Sequence, residues 1–196
     1  MSADDISDSN VQPFCNLSEF RNPEYEPGRG LFMRTLWYFC SLFFFEGGWL
    51  PMSGLKARIL RLFGARVGRG VNIKPHVRIK YPWRLKVGDH CWIGQGVWID
   101  NIEDVTIGDH VCISQLAYFC TGSHDHQTRT FDLLAKPIRV ETGAWVGARA
   151  TLLGGVTIHA NAIVAAGAVV VKSVPAATIV GGNPARQIGQ REEELP

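Results

Sequence analysis

Apolar positions recur along this chain in steps of six. They run Val67, Ile73, Ile79; then Val87, Ile93, Ile99; then Ile107, Ile113, Phe119; and finally Val140, Val146, Leu152, Ile158, Val164 and Val170. All but Phe119 are branched aliphatics. Six is neither the period of an amphipathic helix nor the alternation of a half-buried strand. Fixed-period self-similarity is the mark of a repeat architecture, and a hexapeptide period specifies a parallel β-helix. Each hexad makes one short flat side of a triangular coil and sends its branched residue into the prism. Four residues further on, at the corners, stand small or compact residues: Val71, Val77, Cys91, Val97, Val111, Ala117, Ala144, Ala150, Val156, Ala162 and Ala168. A sandwich of alternating strands would instead need period two and hairpin turn signals.

The rhythm divides the chain into an N-terminal extended and helical segment (1–66), a β-helix (67–174) and a C-terminal tail (175–196). Polar, proline-containing residues 1–28 read as extended or loosely ordered. The apolar run 31–45, LFMRTLWYFCSLFFF, falls short of the ~20 residues that span a bilayer. It reads as a helix packed on the prism or lying in a membrane interface. Gly47, Gly48 and Pro51 end it. Ser53 can cap a second helix, whose Leu55, Ile59, Leu62 and Phe63 share a face, and Gly64 stands where a C-cap glycine belongs. Two-residue insertions at about 80–86 and 100–106 are small bulges. From Thr121 to Arg139 the phase is lost, so the chain leaves the prism as a loop, a common seat of function.

Composition and charge refine this picture. Five cysteines, Cys15, Cys40, Cys91, Cys112 and Cys120, are odd in number and lack metal-site spacing, so neither a disulfide framework nor a structural zinc site is expected. The acidic opening MSADDISDSN has none of the order of a signal peptide. Together these point to a reducing cytoplasm. Net charge is only +2, yet between Gly47 and Gly88 there is no acid, while Lys56, Arg58, Arg61, Arg66, Arg69, Lys74, Arg78, Lys80, Arg84 and Lys86 supply half of the 20 Lys and Arg. No recognition helix or stacking module accompanies the run, so nucleic acid is not an expected partner. A solvated basic face and attraction to an anionic membrane both fit, the latter making peripheral membrane contact an expectation.

Of six histidines, His76, His90 and His110 take the fourth place of a hexad and His159 the second, where they decorate turns and surface. His124 and His126 stand where the coil opens. A histidine with near-neutral pKa at such a loop root can serve as a general base.

TGSH at 121–124, PI at 137–138, WVGARATLLGGVTI at 145–158, AAGAVVVKSVP at 165–175 and GGNPAR at 181–186 resemble the hexapeptide acyltransferases. Within them the chain is similar to the maltose, galactoside and nodulation-factor O-acetyltransferases. IKYPWRLKVGD at 79–89 and GVWIDNIEDVTIGDHVCISQ at 96–115 point to the colanic-acid-biosynthesis branch. The resemblance covers about residues 30–190. It implies an all-β fold, a left-handed parallel β-helix of hexapeptide repeats with an N-terminal helical segment, assembled as a homotrimer with clefts between neighbours. It also implies acetyl-CoA as donor, no metal, and a sugar or lipid-linked sugar hydroxyl as acceptor in polysaccharide biosynthesis.

The same resemblance assigns His124 as the base and the backbone N–H of Ala148 to the thioester oxygen. Trp145, Ala148 and Ala166 would line the CoA arm, and Lys172 and Arg186 would meet its phosphates. Asp100 and Asn101 are expected to meet acceptor hydroxyls. Where the galactoside enzymes offer an asparagine this chain has Gly94, and SHDH replaces the commoner GHP, so Asp125 either supports a histidine or starts the loop. Alternatives of other kinds are an amine or xenobiotic acceptor, a γ-carbonic-anhydrase-like metal enzyme using His124 and His126, and a non-catalytic scaffold.

Overall fold

The computed structural model describes residues 13–22 and 25–192, and the first twelve residues of the expected loose arm lie outside them. Every one of the fifteen six-step positions is buried, as is every small corner residue. The strands are two or three residues long over most of the coil, and all ladders between coils are parallel. Three sheets result, one per face of the prism. One face stacks 66–67, 85–87, 105–107, 138–140 and 157–158; the next stacks 72–73, 92–93, 112–113, 145–146 and 163–164; the third stacks 78–79, 98–100, 118–120, 151–153 and 169–170. Corners take a left-handed residue such as His76, His90, His110, Arg149 or Asn161.

The coil runs further than the hexad rhythm. Val174 bridges to Ile158, and Thr178–Gly181 lies parallel on Ile163–Val164, so a sixth turn begins inside the expected tail. Arg186–Gln190 then folds back antiparallel on Thr178–Gly181 and occupies that sheet's last edge, which would otherwise be open to pairing. The insertions stack one upon another. Asn101 Nδ2 donates to Tyr81 O at 2.6 Å and its Oδ1 accepts from Tyr81 N at 3.0 Å. One coil later Thr121 Oγ1 donates to Asp100 O at 2.9 Å and accepts from Glu103 N at 3.1 Å.

Two helices close the opposite end, α1 (Leu31–Ser41, continued by a wider turn to Glu46) and α2 (Ser53–Leu62). Strand N–H groups of each coil bond to carbonyls of the next, as Gly68 N does to Val87 O and Asn72 N to Cys91 O. The carbonyls of the first coil are therefore left without a strand. Trp37 Nε1 donates to Ile79 O at 2.8 Å, Arg61 Nε to Val67 O at 2.9 Å and Arg61 Nη2 to Gly68 O at 2.7 Å. Lys56 Nζ, on a fully buried side chain, reaches Ile73 O and Lys74 O at 3.3 and 3.1 Å. A buried polar group needs such a partner, and the helices supply it from side chains.

This arrangement corrects three expectations. The buried side of α2 is Lys56, Ala57, Ile59 and Leu60, whereas Leu62 is 83% exposed. Ser53 is the first helical residue rather than the cap, and its hydroxyl is spent on the first coil, accepting from Ile73 N at 2.9 Å. Gly64 does follow the helix end, at φ +94°, with Ala65 N bonded back to Leu60 O. The third correction concerns the basic run. Arg69 pairs with Asp89, Lys80 with Asp100, Arg84 with Glu103 and Lys86 with Asp104, each 18 to 20 residues away. That interval is one turn of the coil, so half of the run meets opposite charge in space, while Lys56, Arg58, Arg61, Arg66 and Lys74 meet no carboxylate among the described residues.

Among the described residues, 13–22, Tyr25 and 124–134 form one compact unit. Within it the arm is ordered. Asn16 N donates to Arg129 O at 2.8 Å, a short 3-10 turn spans Leu17–Glu19, and Glu19 pairs with Arg129 at 3.2 Å.

Candidate active site

The excursion leaves the coil at Thr121 and rejoins it sooner than the sequence rhythm suggests, since Ile138–Val140 is already a strand on the first face. Its two ends pair as a short ribbon, Gly122–His124 with Leu133–Ala135. Asp125 then turns the chain: its Oδ1 accepts from Gln127 N at 2.9 Å and its N–H donates to Asp132 O at 2.8 Å. Of the two roles open to Asp125, starting the loop is the one its bonds serve.

His124 is held on three sides. Its Nδ1 lies 2.8 Å from Phe131 O. A carbonyl can only accept, so Nδ1 carries the proton and, in the neutral ring, Nε2 keeps a free lone pair. The Phe131 ring stacks on the imidazole at 4.3 Å and 4°, and Phe20 meets it edge-on at 5.7 Å. Phe131 sits at φ +52°, in the left-handed region that bulky residues rarely adopt. Strained backbone of this kind persists where the surroundings over-determine it. His126, by contrast, is exposed, and no side-chain bond fixes its ring among the described residues. No group of three His, Cys, Asp or Glu side chains able to hold a metal ion occurs among the described residues.

The residues expected at the donor sit on the prism. Trp145 stands on the outer side of the second face, stacked in register between Cys112 and Ile163, and its indole N–H donates to Ser114 Oγ at 2.9 Å. Ala148 and Ala166 occupy the same corner of successive coils, where Gly167 N donates to Ala148 O at 2.8 Å. Among the described residues the N–H of Ala148 has no hydrogen-bond partner; Gln95 and Gln115 share this at equivalent corners, so it is a property of the turn. Lys172 and Arg186 are exposed and paired with no carboxylate among the described residues; Arg186 Nη1 bonds only its neighbour's carbonyl, Ala185 O, at 2.9 Å.

Asp100 and Asn101 part company. Asn101 is 0% exposed with both ends of its amide spent on Tyr81, which corrects its expected role toward an acceptor hydroxyl. Asp100 lines a groove of about 530 Å³ between α1 and the third face. Lys80 Nζ lies 3.0 Å from its Oδ1, and Tyr118 Oη donates to its Oδ2 at 3.4 Å. Burial, then the neighbouring Cys120 and Asp100, push the Tyr118 phenol well above its usual range, so it remains a donor. Trp98 stacks on Tyr118 at 4.6 Å, and the Arg78 guanidinium lies over Trp98 at 5.8 Å.

Sequence reading missed Arg78, Trp98 and Tyr118, although their spacing of twenty, one coil, was a signal that could have grouped them. Gly94 is a matter of packing. A Cβ there would come within 2.7 Å of Gln115 N, so the neighbouring coil leaves no room for an asparagine.

Comparison with known proteins places this geometry among acetyltransferases. The family described as bacterial transferase hexapeptide (six repeats) matches residues 137–172. Over 180 residues the chain is 39% identical to WcaF of Escherichia coli strain K12, by name a colanic acid biosynthesis acetyltransferase, covering 91% of this chain and 98% of that one. A hexapeptide-repeat acetyltransferase of Vibrio cholerae O1 biovar eltor, crystallised with acetyl coenzyme A, superposes with TM-score 0.73 at 28% identity over 82% of this chain and 88% of that one. A maltose O-acetyltransferase of Clostridium difficile 630 gives TM-score 0.74 at 25% identity, over 83% and 88%.

Proposed function

We propose, because this chain belongs to the hexapeptide-repeat acetyltransferases, that it moves an acetyl group from acetyl-CoA to a sugar hydroxyl during polysaccharide assembly. The observation that carries the mechanism is the bond from His124 Nδ1 to Phe131 O, which leaves Nε2 free to accept a proton. His124 Nε2 takes the acceptor hydroxyl proton as that oxygen attacks the thioester carbonyl carbon. The carbon–sulfur bond then breaks, and His124 returns the proton to the departing thiolate, giving an acetyl ester and free CoA. General-base help of this kind is typically worth ~10²–10⁴-fold. The N–H of Ala148 would face the oxyanion, where a preorganised amide needs no reorganisation during reaction.

Trp145 and Ala166 would line the pantetheine arm, and Lys172 and Arg186, both exposed and without an acidic partner among the described residues, would meet the CoA phosphates as charge-assisted donors. Asp100 would bond acceptor hydroxyls in a groove whose aromatic lining, Tyr38, Tyr81 and Trp98, suits the apolar face of a sugar ring. We take the working unit to be a homotrimer in the cytoplasm, with the CoA path in the clefts between copies.

The test is a screen of nucleotide-linked and lipid-linked sugars with labelled acetyl-CoA, following free thiol and mapping the labelled position. Product label lost to hydroxylamine is an ester; label that survives is an amide and would move the reading to an amine acceptor. Turnover in His124→Ala equal to that of the parent would remove His124 from the chemistry.

A further inference from the structure

A surface helix ordinarily turns its apolar stripe inward and its polar side out. α1 does not. Trp37, Ser41 and Phe45 face the coil, and at 100° per residue Phe32, Leu36, Phe39 and Phe43 fall on the opposite side. All four are exposed, Phe32 by 79%. The helix is therefore apolar on the side turned away from its own protein, a surface that in monomeric proteins marks an interaction site. Trp49 and Met52, in the connection to α2, extend the exposed apolar surface.

α2 adds charge beside it. Its outward side carries Arg58 between the exposed Leu55 and Leu62. A groove of about 540 Å³ between α2 and the first coil is lined by Arg58, Arg61 and Arg69, and no acidic side chain lines it. The ion pairs that neutralise half of the basic run do not reach Arg58 or Lys74, which have no carboxylate partner among the described residues. Both helices are anchored to the carbonyl edge of the first coil, so apolar and cationic groups share one end of the prism.

We infer that this helical end docks on an anionic lipid bilayer, with the outer side of α1 in the interface and the arginine groove against lipid phosphates. No helix of the described residues is long and apolar enough to cross a membrane, so docking is peripheral. Charge favours the bilayer over a two-fold contact between copies, because that contact would bring Arg58 and Arg61, neither paired with a carboxylate among the described residues, against themselves. An anionic leaflet attracts each cation near it and accepts the aromatic side.

The experiment is flotation of the full chain with vesicles of phosphatidylcholine alone and of phosphatidylcholine with 30% phosphatidylglycerol. Inorganic phosphate is added in a parallel arm. The parent floats with the anionic vesicles, less so at high salt, and free phosphate does not displace it. Arg58→Glu, which reverses a charge and leaves packing intact, lowers anionic partitioning by roughly tenfold. Phe32→Gln/Leu36→Gln, both outside the Asp100 groove, lowers it by about a hundredfold, with an unchanged thermal midpoint showing that the fold survives.

Three results would overturn the inference. The parent could stay with neither vesicle, or bind neutral and anionic vesicles alike with no response to Arg58→Glu. Alternatively, the glutamine variant could lower the mass of the assembly in sedimentation while the parent ignores vesicles, making this surface a contact between copies. Acetyl transfer to a soluble sugar is scored separately, so failure of docking leaves the enzymatic reading standing.

Discussion

The prism and the excursion solve different problems, and their residues are replaceable in different ways. Along 66–120 and 138–181 one answer to burial is repeated: a branched residue inward, a compact residue at the corner, a left-handed turn. In the unit made by 13–22 and 124–134 nothing repeats. There an imidazole is fixed by one carbonyl and two aromatic rings, each supplied once. An inward-facing coil position can thus fail only by unfolding, since its side chain touches other core atoms alone. A position beside His124 can fail with the fold intact. The inward residues of the first region carry stability, and the candidate base is held in the second.

Truncating a phenylalanine in each region tests the contrast directly. Phe119 is fully buried on the third face, in register between Ile99 and Leu152. Phe119→Ala should cost about 3–5 kcal/mol in chemical denaturation, with residual turnover tracking the folded fraction. A loss under about 1 kcal/mol would mean that neighbouring coils collapse into the space, and the prism would be softer than its packing suggests.

The helical end gives the next largest effect. Lys56→Met removes the donor to Ile73 O and Lys74 O. Ser53 Oγ still reaches Ile73 O at 3.3 Å, so the cost of about 1–3 kcal/mol falls on Lys74 O, left without its partner. The effect has a pH signature. Burial holds the Lys56 ammonium below its reference value of 10.5. In the window just below that value the unfolded chain binds more protons than the folded one, so the stability contributed by Lys56 rises with pH there. The parent should gain on Lys56→Met as pH climbs toward 10.5; a gap that narrows instead would show that the charged form is the one the fold prefers.

Phe131→Ala belongs to the other region. The carbonyl that orders His124 is backbone and survives, but the stacked ring and the constraint on its left-handed turn are lost. Turnover number should fall about tenfold, equivalent to ~1.4 kcal/mol of barrier, with the melting midpoint within a degree or two of the parent. If KM rises instead while turnover holds, the ring positions substrate rather than the base.

These contrasts also explain what could be read from sequence. Val67 to Val170 were legible because every coil imposes the same steric demand, so the pattern reports itself many times. The sixth turn at Val174 and Thr178–Gly181 was not, because its approach departs from the period of six. The basic run was legible only in part, for a related reason. Charges were compared along the chain, whereas their partners lie a coil away, as Lys80 and Asp100 do. Asn101 looked like a polar group near a loop until its amide was found closed on Tyr81. His124 was identified by resemblance, yet its distinction from His126 rests on Phe131 O, and no periodic signal leads to a carbonyl delivered by one left-handed turn.

The smallest effect concerns how the arm is fastened within the non-repeating unit. Glu19 and Arg129 are both exposed, and water screens such pairs heavily. Hydrogen bonds from Arg129 and then Asn16 nevertheless hold the Glu19 carboxyl below its reference value of 4.5. The sign follows: any contribution is present above 4.5 and is lost as pH falls through the lower folded value. The backbone bond from Asn16 N to Arg129 O and the thiol of Cys15 toward Thr128 O do not depend on that charge. Arg129→Gln should therefore loosen residues 13–20 only slightly at neutral pH, seen as a modest shift of the Asn16 and Ser18 amide resonances, with turnover within about twofold of the parent. Acidification of the parent should reproduce those shifts, and in Arg129→Gln the acid transition should move up toward 4.5. If turnover fell as far as in Phe131→Ala, the arm would be part of the histidine's support rather than a strap beside it, and the division between structural and chemical residues would have to be drawn inside this unit.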